Sequence, residues 1–122
     1  MTTEKIITLF YKLWKQRKFN EMSKLTQKSW SSTINESPLE WLKRVLGQKH
    51  IIEYKIEEII KYAPASIIAL IDVKEYYNNR NKDLSKSTYK IVLICEDNEG
   101  RATPEGNWGI NPHSVLNRVK VQ

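Results

Sequence analysis

The chain has 122 residues and a mass of 14.4 kDa, with 40% apolar and 28% charged side chains, which is one domain of ordinary globular composition, long enough to bury a core without staples. No apolar run approaches the roughly 20 residues of a membrane span, no charged-then-apolar leader opens the chain, and the single cysteine, Cys95, rules out an internal disulfide or a cysteine-based zinc cage. A soluble cytoplasmic domain is expected, with a net charge of +6 that lies wholly within the first fifty residues.

Residues 4–18 have helical periodicity. Ile6, Phe10, Leu13 and Arg17 share one face, Ile7, Tyr11 and Trp14 lie beside it, and Lys5, Thr8, Lys12 and Lys15 fall opposite. The basic residues Lys12, Lys15, Arg17, Lys18, Lys24 and Lys28 carry most of the surplus charge. Such a stripe can hold phosphates through counterion release. Acidic residues interrupt it, no nucleic-acid motif accompanies it, and lysine outnumbers arginine fifteen to five. It therefore reads as a solvated face, and nucleic acid is not the expected partner. An accessory protein meeting an acidic partner through this helix is the weaker reading.

Asn20 is a suitable N-cap for a second helix running to about Lys28, with Met22 and Leu25 inward and Trp30 closing it. Ser37-Pro38-Leu39-Glu40 then combines a serine cap, a first-turn proline and a glutamate three residues after the cap. This predicts a helix over roughly 38–46, apolar along Leu39, Leu42, Val45 and Leu46, with Trp41 at its flank and Gly47 as a left-handed stop.

After Gly47 the period drops to two. Ile52, Tyr54 and Ile56 alternate with Glu53, Lys55 and Glu57, and Glu58-Ile59-Ile60 breaks the alternation, which predicts a bulge. Ala63-Pro64 turns the chain into a second strand over 66–77. A polar hairpin loop from Asn78 to Ser85 leads to a third strand over 86–96, and a turn at Asp97-Asn98-Glu99-Gly100 precedes a short fourth strand from Gly106 to Asn111. Pro112 stops it, and the tail from His113 to Val119 holds one helical turn and an extended piece. Three helices followed by a four-strand antiparallel meander make an α+β domain, with a bent sheet around the helices.

Two strands are apolar on both faces. In the second, Ile67, Ala69, Ile71 and Val73 oppose Ile68 and Leu70; in the third, Tyr89, Ile91, Leu93 and Cys95 oppose Val92 and Ile94. Strands of this kind are covered on both sides. Only one helical layer is available, so a homodimer through the other sheet face is expected.

Leu13-Trp14-Lys15, the polar break, Leu25 with Ser29-Trp30, the capped third helix, the bent strands and Gly106-Asn107-Trp108-Gly109-Ile110-Asn111-Pro112 together resemble an NTF2-like domain over nearly the whole chain. Trp108 and Ile110 match that family's closing tryptophan and isoleucine, both turned towards the helices. The resemblance implies a cone with a pocket between helices and concave sheet, and often a dimer through the sheet. It includes small bacterial members without known activity beside isomerase-, dehydratase- and cyclase-like enzymes, so it speaks to fold more than to chemistry.

An isomerase-type site needs a carboxylate base and a hydroxyl donor. Asp83 and Asp97 fall in turns, and Asp72 points to the outer face. Tyr54 or Tyr89 can donate but has no aspartate beside it, and His50 and His113 sit in loops. No carboxylate and histidine spacing suggests a metal site, no cofactor is implied, and Cys95 reads as core. The aromatic residues remain. Trp14, Trp41, Tyr54, Tyr89 and Trp108 come from every layer, and either fill the interior or line an apolar pocket there. The expected function is binding of a small apolar ligand or a protein partner through that cavity or the sheet face. An isomerase, dehydratase or cyclase acting in the same cavity is the alternative.

Overall fold

The computed structural model describes residues 2–78 and 83–119. Helix α1 spans Thr3–Lys15. Thr2 caps it by accepting the Lys5 amide at 3.2 Å, Glu4 lies in its first turn, and Lys12 and Lys15 lie in its last, so charges complement the helix dipole at both ends. Its apolar stripe (Ile6, Ile7, Phe10, Tyr11, Leu13, Trp14) is buried. The helix ends three residues before the expected limit because Arg17 adopts φ +62°.

The expected second helix is two short pieces, α2 (Phe19–Ser23) and α3 (Lys28–Ser31). Lys18, not Asn20, holds the N-cap position of α2. The chain between the two pieces is used as an edge: the Ile110 amide donates to Leu25 O and the Gln27 amide to Ile110 O, both at 2.8 Å. Backbone pairing with the last strand interrupts the helix there. Glu96 then accepts the Lys28 and Ser29 amides at 2.8 and 3.3 Å, placing a carboxylate at the start of α3. Helix α4 spans Pro38–Val45, and Ser37 Oγ accepts the Glu40 amide as the cap pattern predicts. Gly47 is not a left-handed stop: it lies within a 3-10 turn, Leu46–Gln48, without a positive φ.

Four strands form one antiparallel sheet in the order β1 (Lys49–Ala63), β2 (Ser66–Tyr77), β3 (Ser85–Glu96), β4 (Asn107–Ile110). The meander is as the sequence predicts; Asn79, Arg80 and Asn81 of the hairpin loop lie outside the described residues. The β1–β2 register shifts three times, between Ile51 and Glu53, Ile56 and Glu58, and Lys61 and Ala63. The second shift is the bulge expected near Glu58. The first was not expected, and it turns Ile51 rather than Ile52 inward. Past β4 a 3-10 turn, Pro112–Leu116, and the residues up to Val119 follow the rest of the β3 edge, where Lys90 N donates to Asn117 O and Val119 N to Thr88 O.

The inner sheet face (Ile67, Ala69, Ile71, Val73, Ile91, Leu93) joins Ile7, Phe10, Trp14, Met22, Leu42 and Leu46 in one core, and Cys95 is buried on the same face. Among the described residues no helix is long and apolar enough to cross a membrane.

Candidate functional site

Two regions offer more than packing: a polar cluster inside and the sheet face outside. The inner cluster begins with strand alternation. Glu75 and Tyr77 continue the inward row of Ile71 and Val73, and Lys49 faces Tyr77 across the β1–β2 ladder. Glu75 is 0% and Lys49 2% exposed. Lys49 Nζ donates to Tyr89 Oη at 2.8 Å and forms an ion pair with Glu75 Oε2 at 2.9 Å. The Tyr89 hydroxyl donates to Glu75 Oε1. The ammonium also sits 4.2 Å from the Tyr89 ring centroid, 5.3 Å from that of Tyr77 and 5.8 Å from that of Trp14. Arg118 closes the solvent side, with Nε 3.4 Å from Tyr89 Oη and Nη2 3.3 Å from Tyr77 Oη.

The titration behaviour follows from this geometry. Burial pulls the Lys49 ammonium down, but the Tyr89 hydrogen bond and the Glu75 charge outweigh it and hold Lys49 above the ordinary lysine value. Burial first, and then the hydrogen bond to Glu75, raise Tyr89 against the opposing pull of Lys49 and Arg118. Tyr11 is raised further, by burial and by the nearby Tyr89 and Glu75. Its hydroxyl is buried without a hydrogen-bond partner.

The five expected aromatic residues divide between two clusters and an edge. Trp14 stacks on Tyr11 at 5.7 Å, and Tyr11 on Tyr54 at 5.4 Å, beside the Lys49–Tyr89 pair. The Trp14 indole N–H points at Leu46 O and Lys49 O, at 3.0 and 3.2 Å, which ties α1 to the start of β1. Trp41 belongs to a second group, edge-on to Trp30 at 5.1 Å and to His113 at 4.8 Å. Trp108 is half-buried on β4 opposite Cys95. Arg17 donates to Gly47 O at 2.5 Å and Lys49 O at 2.8 Å, a structural use of the helix-end arginine. His50 stacks on Tyr76 and bonds to Asn78, away from the cluster. Among the described residues no three histidine, cysteine, aspartate or glutamate side chains gather as a metal-ligand set.

Aspartate spacing points to neither Glu75 nor Lys49, the acidic and basic partners that Tyr89 has in the structure. The signal was present. Glu75 is two residues past Val73 in a strand already known to alternate, so its carboxylate had to enter the same interior as Tyr89.

The outer face is read from the same register. Its rows, crossing β1, β2 and β3, are Glu53–Lys74–Lys86, Lys55–Asp72–Thr88, Glu58–Leu70–Lys90 and Ile60–Ile68–Val92, with Ile94 beyond. None of Ile60, Ile68, Leu70, Val92 and Ile94 belongs to the core beneath the helices. Ile60 is 42% exposed, the other four are half-buried, and Tyr62 near the end of β1 is 73% exposed. The polar rows bound a cleft of about 420 Å³. There Thr88 donates to Asp72 at 2.6 Å and is the main cause holding Asp72 below the usual carboxylate range. Neither the protein-family models nor the curated proteins compared with this chain give a match.

Proposed function

We propose that this chain is an NTF2-like binding module that works through its outer sheet face, and that it self-associates there as a homodimer. The order of helices and meander and the three register shifts along β1 support the family reading. The observation that carries the function is the outer strip of Ile60, Ile68, Leu70, Val92 and Ile94. These side chains lie next to one another across three strands, outside the helix-covered core. Adjoining apolar side chains left at a sheet surface mark an interaction site.

The interior favours packing over ligand binding. Trp14, Trp41 and Tyr89 are buried against other rings and core side chains. The Tyr89–Glu75 contact has the donor and carboxylate of an isomerase-type site. However, Lys49 neutralises the carboxylate, and both members of the ion pair lie below the surface.

Analytical ultracentrifugation of the full chain tests the proposal. A dimer is expected at micromolar concentration, and Ile68→Asp should convert it to a folded monomer, because Ile68 lies outside the helix-covered core. A wild-type monomer at that concentration would overturn the reading.

A further inference from the structure

The polar half of the outer face holds a cleft of about 420 Å³ whose charged lining is Glu53, Lys55, Asp72, Lys74 and Lys86. Lys74 and Lys86 stand directly opposite one another on the β2–β3 ladder, and like charges at such a position oppose strand pairing. Among the described residues neither ammonium forms an ion pair or a hydrogen bond. Asp72 and Lys55 are engaged elsewhere: Asp72 accepts from Thr88 at 2.6 Å, and Lys55 pairs with Glu57 at 3.3 Å. Glu53 shares the row of Lys74 but lies beyond ion-pair distance from it.

The next row on the same face is His50–Tyr76. Its two rings stack 4.6 Å apart and 4° from parallel, and both residues are half-buried, so ring surface stays open beside the cleft. Two residues of strand separate Tyr76 from Lys74, about 7 Å. An occupant has to match both rows. Two unpaired ammonium groups suit a dianion. A phosphate monoester carries about −1.5 to −2 at neutral pH, whereas a carboxylate or a phosphodiester carries a single charge. Lysine holds phosphate as a point charge, and a flat ring stacks on aromatic side chains.

We infer that this cleft is a binding site for a small phosphate monoester of a ring compound, a nucleoside monophosphate in chemical class. Its phosphoryl group sits between Lys74 and Lys86, its ring lies on the His50–Tyr76 row, and a sugar spans the distance between them. The cleft volume falls within the roughly 300–1,000 Å³ of small-molecule sites. The site goes beyond the homodimer reading and does not depend on it, because its rows lie apart from the strip of Ile60, Ile68, Leu70, Val92 and Ile94.

Isothermal titration of the full chain with adenosine monophosphate tests it. Submillimolar binding is expected. Lys74→Gln and Lys86→Gln should each weaken it by roughly tenfold, the effect of one lost charge-assisted contact, and Glu53→Gln should strengthen it by removing the like charge in the row. Tyr76→Leu should weaken adenosine monophosphate while leaving inorganic phosphate at its wild-type affinity. Cyclic adenosine monophosphate, with the same ring and one charge fewer, should bind roughly tenfold more weakly. All four substitutions lie on the outer face away from the core, so far-UV circular dichroism serves as the folding control. Absence of binding at millimolar ligand overturns the proposal, as does binding that the Lys74→Gln/Lys86→Gln double variant leaves intact. Equal affinity for the cyclic compound, or a Tyr76→Leu variant that binds like wild type, overturns it too. Ile68→Asp should leave these affinities unchanged, so the site and the homodimer fail separately.

Discussion

Tyr11 is the residue where packing and polarity conflict. Its ring stacks between Trp14 and Tyr54, so its apolar part is well used. Its hydroxyl is buried with no hydrogen-bond partner, and buried tyrosine hydroxyls usually find one. An orphaned buried hydroxyl costs about 1–3 kcal/mol. Tyr11→Phe keeps the ring and removes the orphan, so it should stabilise the fold by about 1 kcal/mol. Chemical denaturation at neutral pH measures this. A loss of stability of similar size would instead show that the hydroxyl is satisfied by a buried water. Lys49 and Glu75 are the opposite case, since each charge is buried but meets the other and shares Tyr89. Breaking such a pair from one side leaves an uncompensated charge.

At the scale of elements, two glycines that look alike in sequence do different work. Gly47 follows the capped helix, where a left-handed stop is the natural expectation. It instead sits in a 3-10 turn without a positive φ, and a Cβ there would come no closer than 3.7 Å to its surroundings. Gly109 lies on β4 where the Leu25–Gln27 segment crosses, and a Cβ there would stand 2.8 Å from the Gln27 backbone. Gly47→Ala should therefore be neutral to within about 0.5 kcal/mol, whereas Gly109→Ala should cost roughly 3 kcal/mol, since backbone cannot yield as a side-chain tip can. Thermal unfolding of the two variants separates them. The same contrast explains what was legible beforehand. The spans of β2 and β3, the Ser37 cap and the inward and outward rows of those two strands follow from local alternation and capping chemistry. The division of α2 from α3 depends on Ile110, more than eighty residues away, which takes the Leu25 and Gln27 backbone for its own pairing. The Lys49–Glu75–Tyr89 cluster likewise joins three strands. Glu75 and Tyr89 can be assigned to the interior by parity, but Lys49 reaches it only through the register shift at Ile52, which no local pattern announces.

For the whole molecule, the inner cluster sets how stability responds to alkali. Lys49, Tyr89 and Tyr11 are all raised above their ordinary values in the folded state. Between the unfolded and folded values of each group, the folded chain holds a proton that the unfolded chain has released. Stability then falls as pH rises. The window opens at the unfolded tyrosine and lysine values, near pH 10. Within it each group contributes a slope of up to about 1.4 kcal/mol per pH unit. Surface charge works the other way at lower pH: the chain carries +6 at neutrality and approaches zero net charge near pH 9.4, so self-repulsion relaxes on the way up. The expected profile is therefore flat or slightly rising from pH 7 to about 9.5, then steeply falling. Urea unfolding across pH 7–11 checks it, and Tyr11→Phe should reduce the alkaline slope by the share of one group. Added salt screens exposed charges but reaches buried ones far less. It should therefore alter the shallow limb and leave the steep one in place, while a steep limb that salt abolishes would assign the alkaline transition to the surface instead of the Lys49–Glu75–Tyr89 interior.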